Sequence, residues 1–291
     1  MKISLHLGAH LTDDDRLSRC LIKNRDLLAG QAIAVPGPGK YRELLRAATE
    51  RLQGARASAE TTAALLDDIL NMDGAERMVL SSAEFLGPRG WAIRDSALYP
   101  QAAEKFSALR NLFPNHPVEA FLAVRNPATF MASLVDVAHD KARERILSTT
   151  TPADLRWSAV VNAMRTACPD VPLTIWCDED TPYLWNDILR AVSAHPDGIT
   201  LRHTYDWFAQ VMRPEGLELM LNWLEHHPPQ TEDQRRRIIS AFLDKYFDAE
   251  KVDVDLNLPG WTEDMVEVLT ELYDQDMDAI RAIEGVRVLT P

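Results

Sequence analysis

Apolar runs and helical apolar spacings alternate along the first two thirds of the chain. Residues 3–7 read as a short buried strand that ends at the Gly8 turn. Leu17, Cys20, Leu21, Asn24 and Leu28 then recur at helical spacing, with Asn24 the one polar member. A Pro/Gly loop at 36–39 is followed by helical patterns over 41–53 and 58–72. Residues 78–82 predict a second strand and 101–112 a helix. Val118–Val124 is the clearest strand, and helices are expected over 128–140 and 152–167. Leu173–Cys177 predicts a fourth strand. Strands alternating with helices predict an α/β fold: a three-layer sandwich with a mostly parallel sheet.

The pattern changes after residue 203. Helical spacing dominates 205–225, 231–247 and 262–284. Thr231 with Gln234 reads as a capping box, and Thr262 precedes Glu263 and Asp264 as a cap precedes an acidic first turn. Residues 286–289 fit a last strand or a tail. The expected organisation is an α/β core over 1–203 with a helical portion over 204–291 packed on it, one domain overall.

Composition narrows the partners. The 291 residues are 46% hydrophobic, enough for a sizeable core, and 31 Lys and Arg face 44 Asp and Glu for a net charge of −13. Such a chain repels nucleic acid and anionic membrane. Arg235, Arg236 and Arg237 form the longest basic run and read as a solvated helix face. Asp274, Asp276 and Asp278, at spacings of two, spread around their helix and also read as solvated. Trp207, Trp223 and Trp261 read as packing residues. The three cysteines have no C-x-x-C spacing, which argues against disulfides or zinc and fits a reducing, cytoplasmic setting; no signal peptide is recognisable.

Ligands of open α/β sheets bind beyond the carboxyl ends of the strands, here 8–15, 82–90, 125–133 and 177–181. The third reads Leu122-Ala-Val-Arg-Asn-Pro-Ala-Thr-Phe-Met-Ala-Ser133. Arg125 closes a strand and Ser133 lies on the next helix, so a guanidinium fork and a hydroxyl can converge on one phosphate. This segment resembles the motif with which sulfotransferases hold the 3′-phosphate of 3′-phosphoadenosine 5′-phosphosulfate. The opening Leu5-His-Leu-Gly-Ala-His10 is similar to a pattern of the form HIGAHKTGTT, and Ser81-Ser-Ala-Glu-Phe-Leu-Gly87 to a segment S-E-N-F-L-G. Over about residues 1–190 the chain resembles a bacterial, alphaproteobacterial sulfotransferase-like family. The resemblance implies a P-loop-type fold, a sulfuryl donor held by Thr12, Arg125 and Ser133, a small-molecule or carbohydrate hydroxyl acceptor, and Glu84 or His10 as the base that takes its proton.

One stretch departs from that family. Where its phosphosulfate loop has a lysine this chain has Leu11, and where it has Gly-Thr-Thr this chain has Asp13, Asp14 and Asp15. A carboxylate ~5 Å from the donor costs roughly 3 kcal/mol at an effective dielectric of ~20. The lost lysine is the cation that stabilises transition-state charge. Three readings follow. Thr12 caps the next helix and the aspartates complement its dipole, leaving a non-catalytic binding or regulatory protein. Alternatively Asp13 and Asp15, with His10 or Glu84, hold Mg²⁺ or Mn²⁺. The third is a metal-dependent nucleotide or nucleotide-sugar transferase using Asp13 and Asp15 or the D-x-D pair Asp178 and Asp180. No G-x-x-x-x-G-K-[ST] occurs.

Overall fold

A computed structural model describes residues 1–291. Its sheet has six strands, β1 (Lys2–His6), β2 (Ile33–Ala34), β3 (Arg77–Ser81), β6 (Val118–Val124), β7 (Leu173–Cys177) and β8 (Val286–Val288), in the order β2-β3-β1-β6-β7-β8. All five pairings are parallel. The remaining strands, β4 (Ile93–Arg94) and β5 (Ala97–Leu98), form a small antiparallel hairpin. The fold is therefore α/β with a parallel main sheet, as the strand–helix alternation predicts. No helix is long and apolar enough to cross a membrane.

Both faces of the sheet are covered, because a parallel sheet has no face it can leave to water. Ile3, Leu5 and Leu7 of the first strand and its extension point to one core; Ser4 and His6 alternate to the other side. The first core gathers α3 (Pro38–Leu52), α4 (Ala59–Ile69), α5 (Ala102–Asn111), α6 (Pro127–Asp136), α7 (Asp140–Thr149) and α8 (Trp157–Ala167). The second gathers α1 (Arg16–Lys23), α2 (Arg25–Ala29) and α9 (Thr181–Ser193).

The chain after residue 203 serves both faces. Helices α10 (Pro214–His226) and α11 (Glu232–Tyr246) join the second core, followed by the short α12 (Ala249–Val252). Helix α13 (Glu263–Arg281) packs in the first core against α6 and α8 and delivers β8 to the sheet edge. Residues Val286–Val288 are thus sheet, not tail, and Leu289 N donates to Ile175 O beyond them.

Several local expectations change. The first helix is broken at Asn24, whose amide donates to Cys20 O at 2.9 Å and Arg202 O at 2.7 Å and accepts from Arg202 N. The polar position on the apolar stripe is a tie to a segment almost 180 residues away. The expected 205–225 helix is a short 3-10 turn, Asp206–Gln210, followed by α10, because Pro214 starts a helix well but cannot continue one. Thr231 and Thr262 cap α11 and α13 as expected, accepting from Gln234 N and Met265 N. Asp276 is not a solvated residue: it is 5% exposed and its carboxylate meets the start of α8. Trp223 is not a packing residue either, since nearly half of it is exposed.

Candidate functional site

The chain leaves β1 toward one face through α1 and leaves β6 toward the other through α6. Neighbouring parallel strands with opposite exits open a crevice at their carboxyl ends, the place where such sheets take ligands. The two strands stay paired into this region. Leu7 N donates to Phe121 O at 2.8 Å, Ala9 N to Ala123 O at 2.9 Å and Ala123 N to Gly8 O at 2.7 Å. Gly8 has φ +87°, and a Cβ there would lie 2.9 Å from Ala83 Cα. Only glycine lets the turn run this close to the end of β3.

Beyond His10 the loop is satisfied by its own side chains. Thr12 is buried, and its hydroxyl donates back to Ala9 O at 2.8 Å. It is not the helix cap. Helix α1 begins at Arg16, so the aspartates precede the first turn instead of forming it. Asp14 and Asp15 have φ +44° and +64°, left-handed conformations that aspartate tolerates better than most residues. The capping role falls to Asp13, whose Oδ1 accepts from Leu17 N at 2.9 Å. Asp15 turns the other way and forms a bidentate pair with Arg42. The Arg42 hydrogen bond holds the Asp15 carboxyl below its ordinary range. Arg42 also donates to Ser81 O, which fastens the loop to the end of β3.

Arg125 closes the crevice from the other strand. One terminal nitrogen donates to Leu11 O at 3.0 Å and its Nε to Thr129 Oγ1 at 3.2 Å, while its other terminal nitrogen meets no protein acceptor. Trp157 Nε1 donates to Arg125 O at 2.7 Å, and Glu179 accepts from Asn126 N at 2.8 Å. Ser133, half-buried on α6, has a hydroxyl without a protein partner. Glu84 lies on an exposed turn, and its carboxylate forms no ion pair with Arg89 or Arg125.

The two histidines of β1 and its loop are buried and each has an unpartnered Nε2. Tyr99 fixes the state of His10. Its hydroxyl accepts from His10 N at 2.9 Å and lies 2.8 Å from His10 Nδ1, the one acceptor within reach of its own proton. The remaining proton of a neutral ring then sits on Nε2, which makes that nitrogen a donor. Burial, with Arg89 adding to it, pushes the His10 pKa down to about 4, so the ring is neutral at physiological pH. A neutral ring held this way can hydrogen-bond an anion but is poorly set to accept a proton. His6 stacks on Trp176 and meets Ser81 Oγ at 2.8 Å; burial lowers its pKa also.

Asp178, at the end of β7, lies 3.6 Å from Arg16. Burial raises its carboxyl to about 7, with Arg16 opposing, Glu179 reinforcing and Arg125 opposing that rise. The folded chain thus keeps this proton across a window, from about pH 4 to about 7, in which the unfolded chain has lost it, and stability falls as pH rises through that window. Asp178→Asn removes this dependence. Its urea-unfolding free energy relative to the parent is expected to grow by about 1–2 kcal/mol from about pH 5 to about pH 8. A constant difference over that range would disprove the assignment. Asp180 is half-buried and separate from Asp178's partners, and nowhere in the chain do three or more His, Cys, Asp or Glu side chains gather as a metal centre requires.

The structure therefore joins Leu11 to Arg125 and the aspartate loop to Asp178 through Arg16, draws Asp15 away to Arg42 and the end of β3, and leaves Glu84 exposed without an ion pair. Arg16, Arg42 and Tyr99 escaped the sequence reading. Arg42 and Tyr99 act across gaps of 27 and 89 residues that no local spacing encodes. Arg16 had a signal, since an arginine directly after a run of aspartates is placed to bind the carbonyls of that run.

No family model, curated protein or solved structure matches this chain.

Proposed function

We propose that the chain is a non-catalytic protein of the sulfotransferase-like kind, which binds adenosine 3′,5′-bisphosphate through Arg125 and Ser133 and does not transfer the sulfuryl group. The single observation that carries this reading is the self-satisfied loop. Thr12 donates to Ala9 O, Asp13 caps Leu17 N, and the cations nearest the loop are spent on protein: Arg42 on Asp15, Arg16 on Thr12, Asp13 and Asp178, and Arg125 in part on Leu11. A phosphosulfate would have to displace these bonds and then sit beside carboxylates with no free cation to take up transition-state charge. The β6 end is different. It keeps an open guanidinium nitrogen and an open hydroxyl, the donor types a terminal phosphate uses. The parallel sheet with its crevice between β1 and β6 also suits a nucleotide ligand.

Calorimetry tests both halves. Saturable binding of adenosine 3′,5′-bisphosphate, lost in Arg125→Ala, is the expected result, together with no sulfuryl transfer from the full donor to hydroxyl acceptors. Turnover of the donor by the parent would overturn the non-catalytic part. Absence of bisphosphate binding would overturn the nucleotide part.

A further inference from the structure

Beside α1 a cleft of about 180 Å³ opens between this helix and the segment that carries the Asp206–Gln210 turn. Arg16, Arg19 and Lys23 line it from the helix, and His203, Asp206 and Trp207 from the opposite wall. Positions 16, 19 and 23 share one helix face by their spacing of three and four. Three permanent cations thus line the cleft with one carboxylate, Asp206, and even with Asp178 lying 3.6 Å from Arg16 the cations outnumber the carboxylates they meet, in a chain whose net charge is −13. A local excess of positive charge in an acidic protein needs a reason, because it opposes the field of the rest of the molecule.

The cations are held in place. Arg16 donates to the carbonyls of Thr12 and Asp13, and Arg19 to that of Asp14, so the backbone of the aspartate loop aims both guanidinium groups. The Arg16 guanidinium also lies 4.7 Å from the centre of the Trp207 ring. Asp206 gathers Lys23 and, at 3.3 Å, His203 Nδ1. His203 itself is held at φ +62°, a conformation that costs a non-glycine residue about 1–2 kcal/mol. Independently of these charges, the indole N–H of Trp207 is buried and has no protein acceptor. A buried donor left unmatched is unusual enough to point to a missing acceptor.

We propose that this cleft is a binding site for a small tetrahedral oxyanion, the phosphate or sulfate group of a free ion or of a small monoester. The volume is below the ~300 Å³ at which sites for drug-sized molecules begin, which excludes a whole nucleotide and suits a single such group with a short substituent. Arg16 and Arg19 keep guanidinium nitrogens that the loop carbonyls do not use, and Lys23 adds a point charge, a combination suited to phosphate.

Titration of the full chain with inorganic phosphate and, separately, glycerol 3-phosphate, followed by the indole N–H resonance of Trp207, tests the site. Saturable shifts are expected with at least one probe. Stronger binding of the ester identifies a monoester site, and stronger binding of the ion identifies an ion site. Arg19→Ala combined with Lys23→Ala should weaken binding roughly tenfold or more, because each removes a charge-assisted bond. Asp206→Asn, which removes the one carboxylate of the lining, should tighten it severalfold. Arg125→Ala should leave it unchanged, which separates this site from the proposed nucleotide site. No saturable response to either probe, equal affinity in the double variant, or loss only in Arg125→Ala would each overturn the proposal.

Discussion

Asp276→Ala is expected to lower the unfolding free energy by roughly 3 kcal/mol, because a buried carboxylate that caps a helix from another element is removed and its donors are left without acceptors. Helix α8 has no side-chain cap of its own. Asp276, on α13, supplies one: Oδ2 accepts from Trp157 N at 2.6 Å and Ser158 N at 3.1 Å, and Oδ1 accepts from the Ser158 hydroxyl. A negative charge at a helix start also complements the helix dipole. Asp276→Asn keeps the shape and one acceptor oxygen and should cost about half as much. Urea unfolding of both variants measures this. Two values within about 0.5 kcal/mol of the parent, the usual range for surface substitutions, would show that the cap contributes nothing. The same variant has a second readout. Trp157 holds the Arg125 carbonyl, so a loosened α8 start should also weaken bisphosphate binding on the reading proposed above.

Gly8→Ala is the other large effect. The residue has φ +87°, and the added methyl carbon would meet Ala83 Cα at 2.9 Å. The left-handed backbone costs about 1–2 kcal/mol for a residue with a side chain. Relief of the clash adds roughly 1–3 kcal/mol, since the neighbour is backbone and cannot rotate aside. Together they put Gly8→Ala about 3 kcal/mol below the parent, with the loss read as a lower denaturation midpoint. The strain is local to the crevice, so proteolysis should cut the 9–15 loop of the variant sooner than that of the parent. A variant as stable as the parent would mean that the turn shifts freely and that the loop is not pressed on β3.

The two predictions differ in how visible their causes are in the chain. Gly8 directly after a strand segment announces a tight turn, and the turn is there. Asp276 announces nothing. Its spacing with Asp274 and Asp278 suggests a solvated face, yet helix α13 turns this one carboxylate into the first core, against a helix that begins 119 residues earlier. The aspartate loop lies between these cases. Its acidity, and its mismatch to a phosphosulfate loop, are legible in the residues. The division of labour is not: Asp13 as cap, Asp15 as partner of Arg42, and Asp14 lending only its carbonyl to Arg19.

The sequence alone determined the strand–helix alternation, the bounds of β6 and β7, the α/β class and, through Thr231 and Thr262, the caps of α11 and α13. These follow from periodicity and from interactions spanning at most a few residues, so the information lies in a short window of the chain. Tertiary structure alone decided the strand order, the entry of β8 into the sheet, the use of the last third on both faces and the partners of every charged group in the crevice. The reason is physical. A carboxylate or guanidinium takes whichever opposite charge, carbonyl or amide the packing of distant elements brings within about 3 Å, and that distance is set by the whole fold and not by spacing along the chain.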